Sequence, residues 1–167
     1  WLLEEAAHDH VLATAHAEPG GESPFSAPVS RAERVDGGYR FTGHKTGGCL
    51  TPAWQFLGLH GIDGEAPEGP CVVHAFMARH TEGYVTRVAG AALGMRACGA
   101  DDTLLDGAFV PDRYVARVVP VAESAHDPFV VSHLVWSLLG TANVALGMAR
   151  RASDIATDTL TRARAMA

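Results

Sequence analysis

Apolar and polar residues alternate in short runs through most of the chain, and this grain gives way near the end to one long helical pattern. Between residues 11 and 119, β-prone runs recur at 11–17, 29–35, 39–42, 54–60, 71–78, 84–88, 103–110 and 114–119. Turn-forming clusters separate several of them: Pro19-Gly-Gly21, Asp36-Gly-Gly38, Gly61-Ile-Asp-Gly64 and Pro67-Glu-Gly-Pro70. The sharpest hairpin signal is Val35-Asp-Gly-Gly-Tyr39, where Asp-Gly supplies the positive φ angles of a tight turn. Short strands with no helix between them predict an antiparallel barrel or sandwich.

Helical patterns flank this region. Residues 1–10 read as a short helix, with Trp1 already inside the pattern. At Asp127-Pro128, Asp offers a side-chain cap and Pro suits a first helical position, and no further Pro follows. One long helix is predicted, or two with a bend near Gly140 or Gly147. Residues 128–149 carry no charge, which is the mark of a membrane span or of a central bundle helix. Ser132, His133, Ser137, Thr141 and Asn143 are spread round the helix, and Arg150-Arg-Ala-Ser-Asp-Ile-Ala156 suits water. The reading is a bundle helix and no membrane span, with its helical partners outside this chain. The predicted class is therefore α+β, a mainly antiparallel β barrel or sandwich followed by a long bundle helix. Both ends fall inside helical patterns without stop signals, so the chain reads as a fragment.

Composition narrows the function classes. The chain has 167 residues, 47% hydrophobic and 19% charged, an ordinary globular balance for one domain with attached pieces. Thirteen basic against nineteen acidic residues give a net charge of −6, and Lys45 is the only lysine, so a nucleic-acid surface is excluded. Cys49, Cys71 and Cys98 form no Cys-x-x-Cys, and with no signal peptide visible the expected setting is cytoplasmic. The nine His residues show no metal-ligand spacing, and no metal site is expected. Cys49 reads as a small packing residue, and Arg96 as the partner of Asp101 or Asp102.

Five segments in order resemble the middle domain of acyl-CoA dehydrogenases and the helix after it. Ala17-Glu-Pro-Gly-Gly-Glu-Ser23 is similar to that family's Thr-Glu-Pro-Gly-x-Gly-Ser stretch, and Gly38-Tyr-Arg-Phe-Thr-Gly-His-Lys45 to its Gly-Tyr-x-x-x-Gly-x-Lys hairpin. Leu93-Gly-Met-Arg-Ala97 and Asp106-Gly-Ala-Phe-Val-Pro111 resemble its Leu-Gly-x-Arg-x-Ser and Asp-x-x-Val-Pro segments. Gly147-Met-Ala-Arg-Arg-Ala-Ser-Asp-Ile-Ala156 resembles the first helix of its C-terminal bundle. The resemblance implies three regions: residues 1–10 ending an N-terminal helical domain, 11–125 a middle β-barrel domain, and 126–167 the first helix of a C-terminal helical domain.

The resemblance also implies a cofactor, FAD, and a site for it. The strand Thr14-Ala-His-Ala17 would lie along the flavin's pyrimidine edge, Gly20, Gly21 and Ser23 would approach the pyrophosphate, and Gly47, Gly48 and Cys49 would cover the ring near N5. The candidate cofactor residues are thus Thr14, His16, Ala17, Gly20, Gly21, Ser23, Gly47, Gly48 and Cys49, with Ser23 also at the substrate. The family's flavin-facing Thr is Ala17 here, its covering Trp is Gly47, the Thr after that is Cys49, and its second turn Gly is Glu22. Its acyl-CoA-orienting Phe-Asp-x-x-Arg falls on Leu134-Val-Trp-Ser-Leu138. The implied activity is α,β-dehydrogenation of an acyl-CoA or related thioester in lipid metabolism, by a homo-oligomer assembled through its C-terminal helices. The general-base Glu is expected beyond Ala167, so no catalytic residue is assigned and this segment alone is expected to be inactive. Two alternatives stay open: a flavin-dependent monooxygenase of the same fold, favoured by the small residues at Gly47-Gly48, and a non-catalytic assembly module.

Overall fold

A computed structural model describes residues 1–21, 27–88, 90 and 93–165. Among these, helix α1 spans Leu2–Ala7 and eight strands follow: β1 Leu12–Thr14, β2 Arg31–Val35, β3 Gly38–Gly48, β4 Phe56–Asp63, β5 Cys71–Ala78, β6 Tyr84–Arg87, β7 Asp101–Pro111 and β8 Val115–Pro120. Helix α2, Pro128–Ala165, closes the described chain. The chain divides into two compact units, Trp1–Val130 and Val131–Ala167.

The strands form one sheet in the order β6-β7-β3-β2-β4-β5-β8, with β1 added beside β4. Most pairings are antiparallel, as predicted, but β1 and β2 each pair with β4 in parallel, so the sheet is mixed. Two parallel neighbours are possible for β4 because the long connection from Thr14 to Arg31 lets the chain return in the same direction. The β2–β3 hairpin turns through Asp36 and Gly37 alone, since Val35 pairs with Gly38. Of the two turn residues only Gly37 takes a positive φ, +75°, so the turn differs from the doubly positive one that Asp-Gly predicts. Gly38 is required for another reason: a Cβ there would lie 2.2 Å from the Val110 carbonyl oxygen on β7.

Inward positions of β1 to β5 and β7 build the core, around Phe41, Trp54, Leu57, Leu59, Val73, Met77, Ala108 and Val110. β4 and β5 are buried at every position but one (Ile62 and Phe76) rather than at alternate positions, which marks them as strands covered on both faces. Trp1 joins Phe56, Phe76 and Tyr114 in an aromatic cluster with ring centroids 5.0–6.0 Å apart, which anchors α1 to the sheet.

Asp127 caps α2 as predicted: its Oδ1 accepts from the Phe129 amide at 2.9 Å. Its other oxygen, Oδ2, accepts from Arg117 Nη2 at 2.7 Å, and this pairing holds the Asp127 carboxyl below its usual range. Phe129 and Val130, in the first turn, pack into the β unit, Phe129 against His74. The remainder runs unbroken through Gly140 and Gly147. Its large apolar residues are uncovered, Trp136 to 75% and Leu160 to 65%. By length and composition alone it is long and apolar enough to cross a membrane.

Candidate functional site

The chain leaving β1 wedges between two strands. The Ala15 amide donates to the Gly58 carbonyl of β4 at 2.8 Å, and two residues on the Ala17 carbonyl accepts from the Thr46 amide of β3 at 2.8 Å. Gly48, at the end of β3, closes on this segment so tightly that a Cβ there would stand 3.1 Å from the Ala15 methyl. The fold thus brings Thr14, His16 and Ala17 together with Gly47, Gly48 and Cys49. Thr14, Ala17, Gly47 and Cys49 are exposed, His16 is half-buried and Gly48 is buried.

Gly20 and Gly21 follow on a turn tied by the Gly21 amide to the Glu18 carbonyl at 3.2 Å. Gly20 and Gly47 both take left-handed φ angles, +74° and +60°, and among the described residues, chain neighbours aside, neither has an atom within 4 Å of where a Cβ would stand. Two glycines therefore face open space among the described residues, at the two margins of the segment that follows β1. Ser23, and Glu22 beside it, lie outside the described residues.

Beneath this exposed edge lies a buried polar cluster that the sequence reading did not find. Glu18 turns inward from the Glu-Pro-Gly turn and accepts hydrogen bonds from the Val29 and Ser30 amides, the Ser30 hydroxyl and the Lys45 ammonium. Lys45 is fully buried, its Nζ 2.5 Å from Glu18 Oε1, 2.7 Å from the His60 carbonyl and 2.9 Å from His60 Nδ1. The His16, His60 and His74 rings cluster beyond it, His16 edge-on to His60 and the other pairs tilted, with centroids 4.7–6.3 Å apart. Burial pushes the Lys45 ammonium down to about 8 against the opposing pull of Glu18. Burial alone would raise the Glu18 carboxyl, but the bonds from Lys45, Ser30 and Val29 outweigh it and hold it below its usual value. Burial, with Lys45 and the other two histidines adding, holds the His60 ring neutral. The legible signal was the placement of His60 and His74 inside the apolar runs 54–60 and 71–78, where they face each other in register.

Around the rim, the His44 ring bonds Asp102 Oδ2 at 2.9 Å, and Asp102 Oδ1 accepts from the Gly47 amide at 3.3 Å. The His44 bond holds the Asp102 carboxyl below its usual range. Arg96, expected to pair with Asp101 or Asp102, donates to the Leu93 carbonyl at 3.5 Å. Cys49 is exposed rather than packed inside, since Gly48 takes the inward position beside it. No group of three or more His, Cys, Asp or Glu among the described residues could hold a metal ion.

No family model and no curated protein matches the chain. Solved structures do. The acyl-CoA dehydrogenase from Geobacillus kaustophilus superposes with a TM-score of 0.62 at 19% identity, covering 80% of this chain and 34% of that one. KijD3, solved with FMN and a dTDP-linked 3-amino-4-keto sugar, gives a TM-score of 0.57 at 22% identity over 68% of this chain and 27% of that one. TdsC from a Paenibacillus species, solved with FMN and indole, gives 0.57 at 16% identity over 72% and 28%. The chain shares the fold of these structures, and it spans about a third or less of their length.

Proposed function

We propose that this chain supplies the flavin-binding wall of a flavin-dependent oxidoreductase. In this reading residues 11–125 are the middle β domain, residues 1–10 end a preceding helical domain, and residues 126–167 begin a following one. The observation that carries it is the cradle itself. The segment Thr14 to Ala17, exposed at Thr14 and Ala17, meets Gly47 and Gly48, and glycines at both margins leave open space among the described residues for a flat ring to approach main chain. The likeness in fold to two FMN-bound structures supports a flavin as the group that fills it.

The residues present fit such a group. Main chain of Thr14 to Ala17 would align the ring edge, Gly20 and Gly21 would admit the phosphates, and Gly47 to Cys49 would flank the reacting face. A bound flavin supplies a hydride acceptor. The buried Glu18 and Lys45 fix the turn and β3 to one another and so hold the two margins of the cradle in place. The cofactor is read as FAD, because the turn at Gly20 and Gly21 lies where a pyrophosphate would need close approach. The substrate is read as an acyl thioester undergoing α,β-dehydrogenation, in a homo-oligomer assembled through the apolar surface of α2, in the cytoplasm.

A second reading, an oxygen-using flavin monooxygenase, is favoured by the small residues Gly47 and Gly48 and the open space over Gly47 among the described residues. Colour is the first test: the purified protein should be yellow and release FAD on denaturation. A colourless protein that takes up neither FAD nor FMN sinks both readings and leaves the assembly module. Anaerobic addition of acyl-CoA esters to the full-length protein then separates the two enzymes, since bleaching of the bound flavin is expected only of the dehydrogenase.

A further inference from the structure

Two of the three cysteines, remote in sequence, meet at the rim of the cradle. The Cys49 and Cys98 sulfurs are 3.2 Å apart, and both are free thiols. The main chain around them is fastened on either side of the contact. The Leu50 amide donates to the Cys98 carbonyl at 2.8 Å, and the Thr51 amide to the Gly99 carbonyl at 3.0 Å. Thr51 Oγ1 adds a second clasp, donating to the Gly48 carbonyl at 2.7 Å and accepting from the Asp101 amide at 3.3 Å. Gly99 approaches so closely that a Cβ there would stand 2.8 Å from Pro52 Cδ. The two thiols are therefore held together by the backbone and not by a chance meeting of mobile side chains. A sulfur–sulfur bond is about 2.05 Å long, so closure needs a movement of roughly 1 Å, within reach of side-chain rotation.

We propose that Cys49 and Cys98 are a dithiol site that closes reversibly to an intrachain disulfide on meeting a low-molecular-weight disulfide such as oxidised glutathione. Cys49, the more exposed sulfur, attacks the small disulfide as thiolate and expels one small thiol. Cys98 then attacks the mixed disulfide at the Cys49 sulfur and expels the second. Each cysteine loses one hydrogen, the protein loses two electrons, and the small disulfide is reduced to two thiols. The adjacent Cys98 thiol, with partial burial, pushes the Cys49 thiol above its usual value, so closure quickens as pH rises. Cys71 takes no part: it is buried at the start of β5, and burial raises its thiol too. The closed bond ties the Gly47–Cys49 margin of the cradle to the 95–99 segment. The proposal goes beyond the flavin reading and does not rest on it.

The test is oxidation of the purified protein with glutathione disulfide, followed by mass spectrometry. The expected product has lost two hydrogens per chain, retains no glutathione and reverts with dithiothreitol. Cleavage at Lys, Arg and Glu separates Cys49 from Cys71, because Glu65 and Glu68 lie between them, and should yield a linked pair containing Cys49 and Cys98. Cys71→Ser should leave closure intact, while Cys98→Ser should stop at a glutathione adduct on Cys49. Oxidation should raise the melting temperature by several degrees, since the bridge closes a long loop without displacing its frame. A persistent adduct on the unaltered protein, a link through Cys71, a link between chains, no reaction, or a fall in melting temperature would each overturn the proposal.

Discussion

Replacing Lys45 with Met probes the buried pair that fastens the Glu-Pro-Gly turn to β3. Met keeps the length and apolar stem of Lys45, whose side chain is 0% exposed, and removes only the ammonium. What remains is the Glu18 carboxylate, 3% exposed, with its Val29 and Ser30 donors but no cation, and a His60 carbonyl without its Lys45 donor. Breaking a buried pair on one side costs about 3–5 kcal/mol. For a chain of this size that corresponds to a fall in melting temperature of roughly 6–20 °C. The double variant Glu18→Gln/Lys45→Met removes both charges and should recover most of the loss, because the destabilising element is the lone buried carboxylate. Guanidinium unfolding at neutral pH, followed by the fluorescence of the fully buried Trp54, reads both variants. A single variant within about 1 kcal/mol of the parent, or a double variant worse than the single, would refute the role given to the pair.

Three further predictions follow from the same structure. Lys45 is held at about 8 against an ordinary 10.5, so between those values the unfolded chain binds a proton that the folded chain has released. Its contribution to stability therefore rises as pH goes from about 8 to 10.5, whereas the Glu18 contribution, with a lowered folded value, is lost as pH falls below 4.5; denaturation midpoints across pH, parent against Lys45→Met, check both signs. Asp127→Ala removes the cap of α2 and the partner of Arg117, and should cost about 1–2 kcal/mol with faster amide exchange at Phe129. Gly38→Ala forces a methyl against the Val110 carbonyl and should cost about 3 kcal/mol, while Gly37→Ala, strained only by its φ of +75°, should cost about 1 kcal/mol; equal effects in chemical denaturation would contradict the packing described at the hairpin.

The strands were legible wherever alternation or a short apolar run was bounded by turn residues. β5 matches its predicted span, and the Val35 to Tyr39 hairpin lies where Asp-Gly-Gly places it. β3 runs well past Thr42, through His44, Lys45 and Thr46, because those polar residues look like the end of a strand. Lys45 stays in the sheet and fully buried only because Glu18, 27 residues earlier, reaches it, a long-range pairing that no local window contains. The same limit hid the histidine cluster and the meeting of Cys49 with Cys98, which are 49 residues apart. The candidate cradle was legible as a set because the turn and hairpin motifs name both of its margins. How they join, through the Ala17 carbonyl and Gly48 against Ala15, depends on β1 lying parallel to β4, which local pattern does not encode.

The most direct test of the flavin reading is a titration of the purified, flavin-stripped protein with FAD and FMN, followed by quenching of flavin fluorescence. The account predicts saturable binding near one flavin per chain, with FAD preferred, and a clear loss of affinity in Gly20→Val, whose side chain enters the open space at the turn. No binding of either flavin, or unchanged affinity in a folded Gly20→Val, would contradict it.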